Sequence, residues 1–274
     1  MEIWKRNKKK RRNRKGEKKQ KNKMAKKQKG LLALAVILAA LLLAFGLYFG
    51  NYYHADKTAQ QAMKSSRTVK VKQTAEGYLF DGPAKKNAII FYPGAKVETT
   101  AYAPLLKQIA SQEADVFLVA MPLHMAFFGL NKADKIRASY HYQNWYMSGH
   151  SLGAAMAAMY SADHLKDYRG LIMLAGYPTK DLHAANFSVL SIYGSKDGNA
   201  KMLQKNPQYL PNDYTKQVIK GGNHAQFGNY GLQKGDGQAT ISRKAQQQAT
   251  AQASKKKKEN KKKYDSTEKA GHLA

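Results

Sequence analysis

Short apolar runs recur from residue 69 to about residue 250, separated by stretches with helical character. Runs of four to eight apolar residues bounded by turn residues are typical of buried β-strands, whereas longer amphipathic stretches favour helices. The pattern predicts a hairpin from 69–72 and 77–80, followed by strands at 87–92, 116–120, 144–147, 171–175, 188–193 and 215–219. It predicts helices near 99–112, 131–141, 154–159 and 238–252. Apolar strands that alternate with helices indicate an α/β fold, with a mostly parallel sheet covered by helices on both faces.

The segment 31–49 differs from these runs because it is continuously apolar and contains no charged residue. A helix of this length spans about 28 Å, close to the hydrocarbon thickness of a bilayer. The preceding residues, 1–30, contain 16 lysines and arginines against two glutamates. This arrangement predicts one transmembrane helix with a cytoplasmic N-terminus and everything after residue 50 outside the cell. An uncleaved anchor is favoured over a cleaved signal peptide, because the run is long and no Ala-x-Ala site follows it.

Composition therefore divides the chain into five parts. A basic cytoplasmic segment at 1–30 precedes the transmembrane helix at 31–49, and a short helical stalk is predicted at 50–68. The α/β domain is predicted at 69–253, a length sufficient for a single large core. The Lys-rich segment 254–274 is predicted to be a disordered tail.

The formal net charge of +29 is concentrated toward the two ends of the chain. The positive charge does not form a stripe interleaved with aromatic residues, so no specific nucleic-acid partner is expected. Basic runs beside a membrane helix more often bind anionic lipid headgroups, which are the expected partner of the basic flank. The chain contains no cysteine, which excludes disulfides but leaves the compartment open.

The pentapeptide Gly149-His150-Ser151-Leu152-Gly153 has the form Gly-x-Ser-x-Gly and lies between an apolar strand and a small-residue helix. A serine on such a sharp strand-to-helix turn has a strained backbone, and glycines two residues away on each side let the flanking segments approach closely. The turn presents the hydroxyl above the sheet. Ser151 is therefore the candidate nucleophile.

A nucleophilic serine needs a base, and the base needs an acid that orients it. In enzymes with this type of turn the acid and then the histidine follow the serine along the chain. Asp197 lies in a glycine-flanked turn after the strand 188–193, and His224 follows the strand 215–219 on a glycine-rich loop. Asp181, which follows the strand 171–175, is an alternative acid, although Asp197 is favoured. His150 is expected to point away from the base.

The developing oxyanion needs two backbone amides. One is predicted to be the amide of Leu152, directly after the nucleophile. The second is expected in the Pro93-Gly94-Ala95-Lys96 turn that ends the strand 87–92, with Ala95 preferred and Gly94 as the alternative.

The stretch 121–130 is too apolar for an ordinary exposed loop. It either covers an acyl or aromatic substrate pocket or packs as a buried loop on the next helix. The sequence shows no metal-ligand constellation and no phosphate-binding glycine-rich loop after the first strand, so no cofactor is expected.

Four segments together resemble a bacterial family of membrane-anchored or exported α/β-hydrolases close to the dienelactone-hydrolase-like branch: 91–97, 149–153, 193–198 and 221–228. The resemblance covers about 69–247. It implies an α/β-hydrolase fold with Ser151 as nucleophile, Asp197 as acid and His224 as base. Many relatives carry His-Gly before the oxyanion loop, whereas this chain has Pro93-Gly94, which makes the second oxyanion donor harder to assign.

The sequence thus predicts a membrane-anchored serine hydrolase that acts outside the cell on an ester-type acyl substrate, either small or lipid-like. An acyltransferase or a peptidase with the same triad is the alternative among enzymes. A catalytically silent surface-binding domain is the alternative outside enzymes, because a fold alone does not establish activity.

Overall fold

The computed structural model of the protein describes residues 1–112, 114–204 and 207–271. The chain forms two compact units, one from Met1 to Asn51 and one that begins at Tyr52. The first unit is a single helix, α1 (Glu2–Gly50). It contains a stretch that is long and apolar enough to cross a membrane, and the large apolar side chains from Leu31 to Tyr48 are exposed. An N-terminal helix of this kind serves either as a membrane anchor or as a signal sequence.

The described part of the second unit is built on one eight-stranded sheet. Its strands are β1 (Lys70–Thr74), β2 (Gly77–Asp81), β3 (Asn87–Tyr92), β4 (Asp115–Val119), β5 (Asn144–His150), β6 (Gly170–Leu174), β7 (Ser188–Gly194) and β8 (Tyr214–Ile219). The order across the sheet is β1-β2-β4-β3-β5-β6-β7-β8. The hairpin β1–β2 and the pair β2–β4 are antiparallel, and the pairs from β4 through β8 are parallel. The predicted mostly parallel sheet is confirmed.

Six helices of this unit complete the order of elements in the described residues: α2 (Lys57–Ala62), α3 (Ala103–Gln112), α4 (Lys132–Ser139), α5 (Leu152–Ala162), α6 (Ala200–Gln204) and α7 (Arg243–Gly271). Short 3₁₀ turns at Thr99–Tyr102, Pro122–His124, Ala126–Gly129, Pro207–Tyr209 and Ala225–Phe227 lie in the connections. The helix predicted at 99–112 is thus a 3₁₀ turn that continues into α3. Most of these helices lie in the connections between the parallel strands.

The sheet separates two apolar cores, because successive side chains of a strand point to opposite faces. On β3, Ile89 and Phe91 belong to one core, whereas Ala88, Ile90 and Tyr92 belong to the other. The first core is closed by α2, α3 and α7, and the second by α4 and α5. Helices therefore cover both faces, as the continuous apolar strands predicted.

The segment predicted as a stalk packs on the domain instead. Tyr53 forms a parallel bridge with Val97, its amide donates to the carbonyl of Lys96 at 2.7 Å, and its carbonyl accepts from the amide of Glu98 at 2.8 Å. Ala59 on α2 is fully buried in the first core. The compact unit accordingly begins near residue 52 rather than at residue 69. The sequence did not reveal this because the segment's contacts are long-range, with separations that include 43 positions for Ala55 and Glu98 and 173 for Asp56 and Asn229.

The end of the domain also differs from the expectation. The final helix was predicted near 238–252 with a disordered tail from 254, whereas α7 begins at Arg243 and continues to Gly271. Ala251 and Ser254 are buried, and the ammonium of Lys257 contacts both the carboxylate of Asp213 and the hydroxyl of Thr215. Lysine is a good helix former, so a helix that is already packed on the sheet can propagate into the Lys-rich segment.

Candidate active site

Ser151 occupies a strained turn between β5 and α5. Its φ of 54° and ψ of −122° lie outside the regions that an L-residue ordinarily adopts. A Cβ on Gly149 would lie 2.5 Å from the carbonyl carbon of Gly153, and one on Gly153 would lie 2.1 Å from the carbonyl oxygen of Tyr92. Both contacts are shorter than any side chain tolerates, so the turn requires glycine at these two positions. This close packing holds Ser151 at the carboxyl end of the central strand.

Asp197 and His224 follow the carboxyl ends of β7 and β8, and both are buried. Oδ2 of Asp197 lies 2.9 Å from Nδ1 of His224, and Oδ1 accepts the amide of Asn199 at 2.8 Å. A carboxylate only accepts hydrogen bonds, so Nδ1 of His224 carries a proton and donates to Asp197. In the neutral imidazole, Nε2 then holds the lone pair. Nε2 is buried and has no hydrogen-bond partner among the residues that the structure describes. The imidazole is therefore oriented and poised to accept a proton.

The alternative acid, Asp181, does not contact His224. Its side chain is 66% exposed, and Oδ1 lies 2.6 Å from Nδ1 of the neighbouring His183. The hydrogen bond from His183 is one reason that the pKa of Asp181 is lowered. The structure thus joins Asp197, and not Asp181, to the candidate base.

His150 lies against the candidate base, whereas the sequence predicted that it would point away. The rings of His150 and His224 are 4.6 Å apart, and Nε2 of His150 lies 3.1 Å from the carbonyl oxygen of His224. The alternation of β5 explains this placement, since His150 shares a face with Tyr146, which lies in the first core. Because His150 directly precedes Ser151, these contacts also bring the nucleophile turn and the base loop together.

A buried hydrogen-bond chain continues from His150 to the loop after β3. Nδ1 of His150 lies 2.8 Å from the hydroxyl of Tyr102, and that hydroxyl accepts the amide of Gly94 at 3.0 Å. Burial lowers the pKa of His150 well below its usual value, and the neighbouring His224 lowers it further. Burial also raises the pKa of the Tyr102 hydroxyl. Both side chains are therefore neutral near pH 7.

The two predicted oxyanion donors differ from their neighbours in hydrogen bonding. The amide of Gly94 is taken by Tyr102, and the amide of Lys96 donates to the carbonyl of His124 at 2.9 Å. Within residues 1–112, 114–204 and 207–271, the amides of Ala95 and Leu152 have no hydrogen-bond acceptor. The geometry thus favours Ala95 over Gly94 for the second donor.

Asp236 is a site residue that the sequence analysis missed. Its carboxylate accepts the amides of His224 at 3.1 Å and Ala225 at 2.8 Å, and those of Gly237 at 2.9 Å and Gly198 at 3.3 Å. One side chain thereby connects the loop of the candidate acid to the loop of the candidate base. No motif marks it, because its partners are backbone groups that carry no sequence signature.

The apolar stretch 121–130 combines both of the predicted arrangements. Met121 and Ala126 are buried in the second core, whereas Leu123, Phe127 and Phe128 are 41%, 46% and 49% exposed. The stretch follows the carboxyl end of β4 and is bonded through His124 to the amide of Lys96 in the loop that carries Ala95. It therefore places apolar side chains at the edge of the sheet where the candidate catalytic residues lie.

In the described part of the chain, no group of three or more histidine, aspartate or glutamate side chains is arranged to hold a metal ion. The chemistry that the site itself offers is nucleophilic. It consists of a strained serine, a histidine oriented by a buried carboxylate, and two amides that have no acceptor in the described part of the chain.

Comparison with known proteins gives one family match and several structural ones. A family model described as "Alpha/beta hydrolase family" matches residues 88–248. The dienelactone hydrolase from Anabaena variabilis superposes with a TM-score of 0.52 at 11% identity, over 68% of this chain and 97% of that one. TT1662 from Thermus thermophilus gives 0.51 at 14% identity, over 69% and 98%. These identities show a shared fold only. No curated protein matches the chain significantly.

Proposed function

The chain belongs to the alpha/beta hydrolase family, and from this premise we propose that it is a serine hydrolase of ester-type acyl substrates. Ser151 is the nucleophile, His224 the general base and Asp197 the acid that orients the base. The observation that carries the proposal is the buried hydrogen bond between Asp197 and Nδ1 of His224, together with a buried Nε2 that has no hydrogen-bond partner in the described part of the chain. A histidine held in this tautomer is suited to receive the proton of a serine hydroxyl.

The reaction follows from these roles. Nε2 of His224 takes the proton of Ser151 as Oγ attacks the carbonyl carbon of the ester. The amides of Leu152 and Ala95 donate to the oxyanion that forms. The imidazolium then gives its proton to the leaving alkoxide, and an acyl-enzyme remains. Water, deprotonated by the same imidazole, releases the acid and restores Ser151.

Apolar acyl groups fit the surroundings of this site best. Leu123, Phe127 and Phe128 are exposed beside it, and burial of such side chains against an acyl chain is favourable by about 25 cal/mol per Å². We call these three exposed side chains the apolar ledge. The proposed substrates are therefore carboxylic esters with an aliphatic or aromatic acyl group, including lipid-like esters.

The segment 31–49 of α1 is proposed to remain in the membrane as an anchor. Its exposed apolar side chains and the basic flank before it support a cytoplasmic N-terminus and an extracellular catalytic domain. The flank of lysines and arginines is suited to anionic lipid headgroups on the cytoplasmic side.

The experiment uses the full-length protein in detergent. A fluorophosphonate probe reacts covalently with an activated serine, so the wild-type protein should be labelled and should hydrolyse p-nitrophenyl esters of graded chain length. Ser151→Ala should abolish both, with a loss of about 10⁴-fold or more in kcat. Ser139→Ala is the matched control, because the Ser139 hydroxyl is exposed and bonds only within α4.

Four outcomes separate the candidate functions. Labelling and hydrolysis that both depend on Ser151 support the proposal. Labelling with faster acyl transfer to an added alcohol or amine than to water indicates an acyltransferase, and cleavage of amides in preference to esters indicates a peptidase. A folded protein that is neither labelled nor active is a binding domain, and that result contradicts the proposal.

A further inference from the structure

Three buried hydrogen bonds connect the loop after β3, the nucleophile turn and the loop of the base. They join the amide of Gly94 to the hydroxyl of Tyr102, that hydroxyl to Nδ1 of His150, and Nε2 of His150 to the carbonyl of His224. We propose that Tyr102 and His150 are positioning residues that hold the oxyanion donor and the catalytic base in register with Ser151. This inference rests on the proposed serine hydrolase activity.

The direction of each bond in the chain is determined by chemistry. A backbone amide only donates and a carbonyl oxygen only accepts, so the hydroxyl of Tyr102 accepts from Gly94, and Nε2 of His150 donates to the carbonyl of His224. In a neutral imidazole Nδ1 is then an acceptor, so the hydroxyl of Tyr102 donates a hydrogen bond to it. Every polar group of this hydrogen-bond chain then has a partner. A neutral His150 is required for it, in agreement with the lowered pKa of this side chain.

The two ends of this hydrogen-bond chain lie at groups whose positions must be accurate for catalysis. Gly94 precedes Ala95, the proposed oxyanion donor, and the last acceptor is the backbone of the base itself. His150 lies between these ends and is covalently joined to Ser151. Displacement of any one of these groups by about 1 Å is expected to lower the rate strongly, because a catalytic geometry must be held within a fraction of an ångström.

The side chains of this hydrogen-bond chain are closely packed, so they have little room to shift if one of its bonds is lost. Tyr102 is completely buried, and His150 and His224 are 1% and 2% exposed. A Cβ on Gly94 would lie 2.8 Å from the hydroxyl of Tyr102 and 3.0 Å from Nδ1 of His150. The loop therefore approaches the two side chains as closely as a glycine allows. Removal of the Tyr102 hydroxyl would take away the hydrogen-bond partner of the buried amide of Gly94 and that of Nδ1 of His150.

Tyr102→Phe tests the proposal with the smallest change. The ring keeps its contacts with Phe91, whose centroid lies 5.0 Å away, so the core packing is retained. We expect kcat for p-nitrophenyl esters to fall about 10- to 100-fold with KM changed less than about twofold, since the lost bond acts on positioning. Tyr160→Phe is the matched control: this buried tyrosine bonds to Asp134, away from the three loops.

His150 is tested by two substitutions that separate its two bonds. Asparagine places its side-chain oxygen near the position of Nδ1 and keeps an acceptor for Tyr102, whereas alanine removes both bonds. His150→Asn should therefore retain more of kcat than His150→Ala. In the Tyr102→Phe background the two substitutions should become equivalent, because the bond that distinguishes them is absent.

A spectroscopic readout reports on the base without any turnover. The proton on Nδ1 of His224, bonded to Asp197, is expected to give a far-downfield NMR resonance in the full-length protein. Tyr102→Phe should shift or broaden this resonance, whereas Tyr160→Phe should leave it unchanged. A folded Tyr102→Phe protein with unchanged kcat and unchanged resonance would overturn the proposal. An inactive wild-type protein whose resonance still responds to Tyr102→Phe would refute the hydrolase assignment and leave the positioning chain intact.

Discussion

Oδ2 of Asp197 and Nδ1 of His224 lie 2.9 Å apart although the two residues follow different strands. The register of β7 and β8 pairs Gly194 with Ile219, which brings the two following loops side by side. A Cβ on Gly194 would lie 2.2 Å from the carbonyl carbon of Gly222. Asp197 and His224 are thus joined because their loops are in direct backbone contact. The hydrogen bond between them is a consequence of strand register and of glycine at one close approach.

The first prediction concerns this pair. Asp197→Asn should lower kcat/KM for an ester by about 10³- to 10⁴-fold, because an amide no longer orients the imidazole in the required tautomer. Asp181→Asn is the matched control and should change kcat/KM less than about threefold, since Asp181 is exposed and bonds to His183. The reverse ranking in steady-state kinetics would move the acid to the loop after β6.

The second prediction concerns the nucleophile turn. Gly153→Ala should lower the free energy of unfolding by about 3 kcal/mol, because the new methyl group meets the carbonyl oxygen of Tyr92 at 2.1 Å. Gly235→Ala is the comparison variant. Gly235 has a φ of 84° and open space around it, so this substitution adds backbone strain without a steric clash. Its cost should be about 1 kcal/mol. Urea unfolding followed by near-ultraviolet circular dichroism measures both values, and equal losses would show that the close approach is not tight.

Asp236 leads to a third prediction. Asp236→Ala removes one acceptor from four amides, so the loop of His224 should loosen and kcat should fall about tenfold or more. Asp236→Asn, which keeps an acceptor oxygen, should recover part of this loss. Asp163→Ala is the control, because that exposed carboxylate pairs with Lys180 at the surface. Kinetics of Asp236→Ala that match those of Asp163→Ala would remove Asp236 from the site.

The exposed apolar side chains beside the site give a fourth prediction. Phe127→Ser should raise KM for long-chain p-nitrophenyl esters several-fold more than for the acetate, because only a long acyl chain reaches the ledge. Val218→Ser, at a similarly exposed apolar position on β8, is the control. If KM rises equally for all chain lengths, the ledge does not contact the acyl group.

The fifth prediction concerns topology. Protease added to intact protoplasts should digest the catalytic domain and leave a small membrane-embedded basic fragment, because the basic residues before Leu31 resist translocation. A cytoplasmic protein that stays intact is the control for membrane integrity. Protection of the domain until lysis would indicate the inverted orientation. A soluble protein in the medium with its N-terminus near residue 50–60 would indicate a cleaved signal sequence.

Much of the fold could be predicted from the sequence because its signals are local. Continuous apolar strands such as Ala88–Tyr92 and Leu171–Leu174 identify a parallel sheet with two covered faces, and this prediction is confirmed. Gly149 and Gly153 mark the sharp turn at Ser151 by their spacing alone. The residues brought together after β7 and β8 follow from the rule that parallel strands end at one edge of the sheet.

The interactions that the sequence did not reveal are long-range or involve backbone groups. Asp236 binds amides, which any residue could supply, so no pattern of side chains indicates it. The hydrogen bond between Tyr102 and His150 joins residues 48 positions apart. It also depends on which face of the sheet the side chain of His150 occupies, because successive side chains of β5 point to opposite faces. The catalytic roles of Ser151, Asp197 and His224 remain predictions for the experiments above.

The bridge between Tyr53 and Val97 has a consequence for release of the enzyme from the cell. Tyr53 pairs with the loop that carries Ala95, and residues 53–62 belong to the same compact unit as that loop. We therefore expect a protease that sheds an active form to cut before Tyr52. A cut between α2 and β1, followed by loss of the N-terminal piece, would remove the two backbone hydrogen bonds that Tyr53 makes with Lys96 and Glu98, so we expect the soluble product to lose support at the loop that carries Ala95. The same segment thereby sets how short an active secreted form of this enzyme can be.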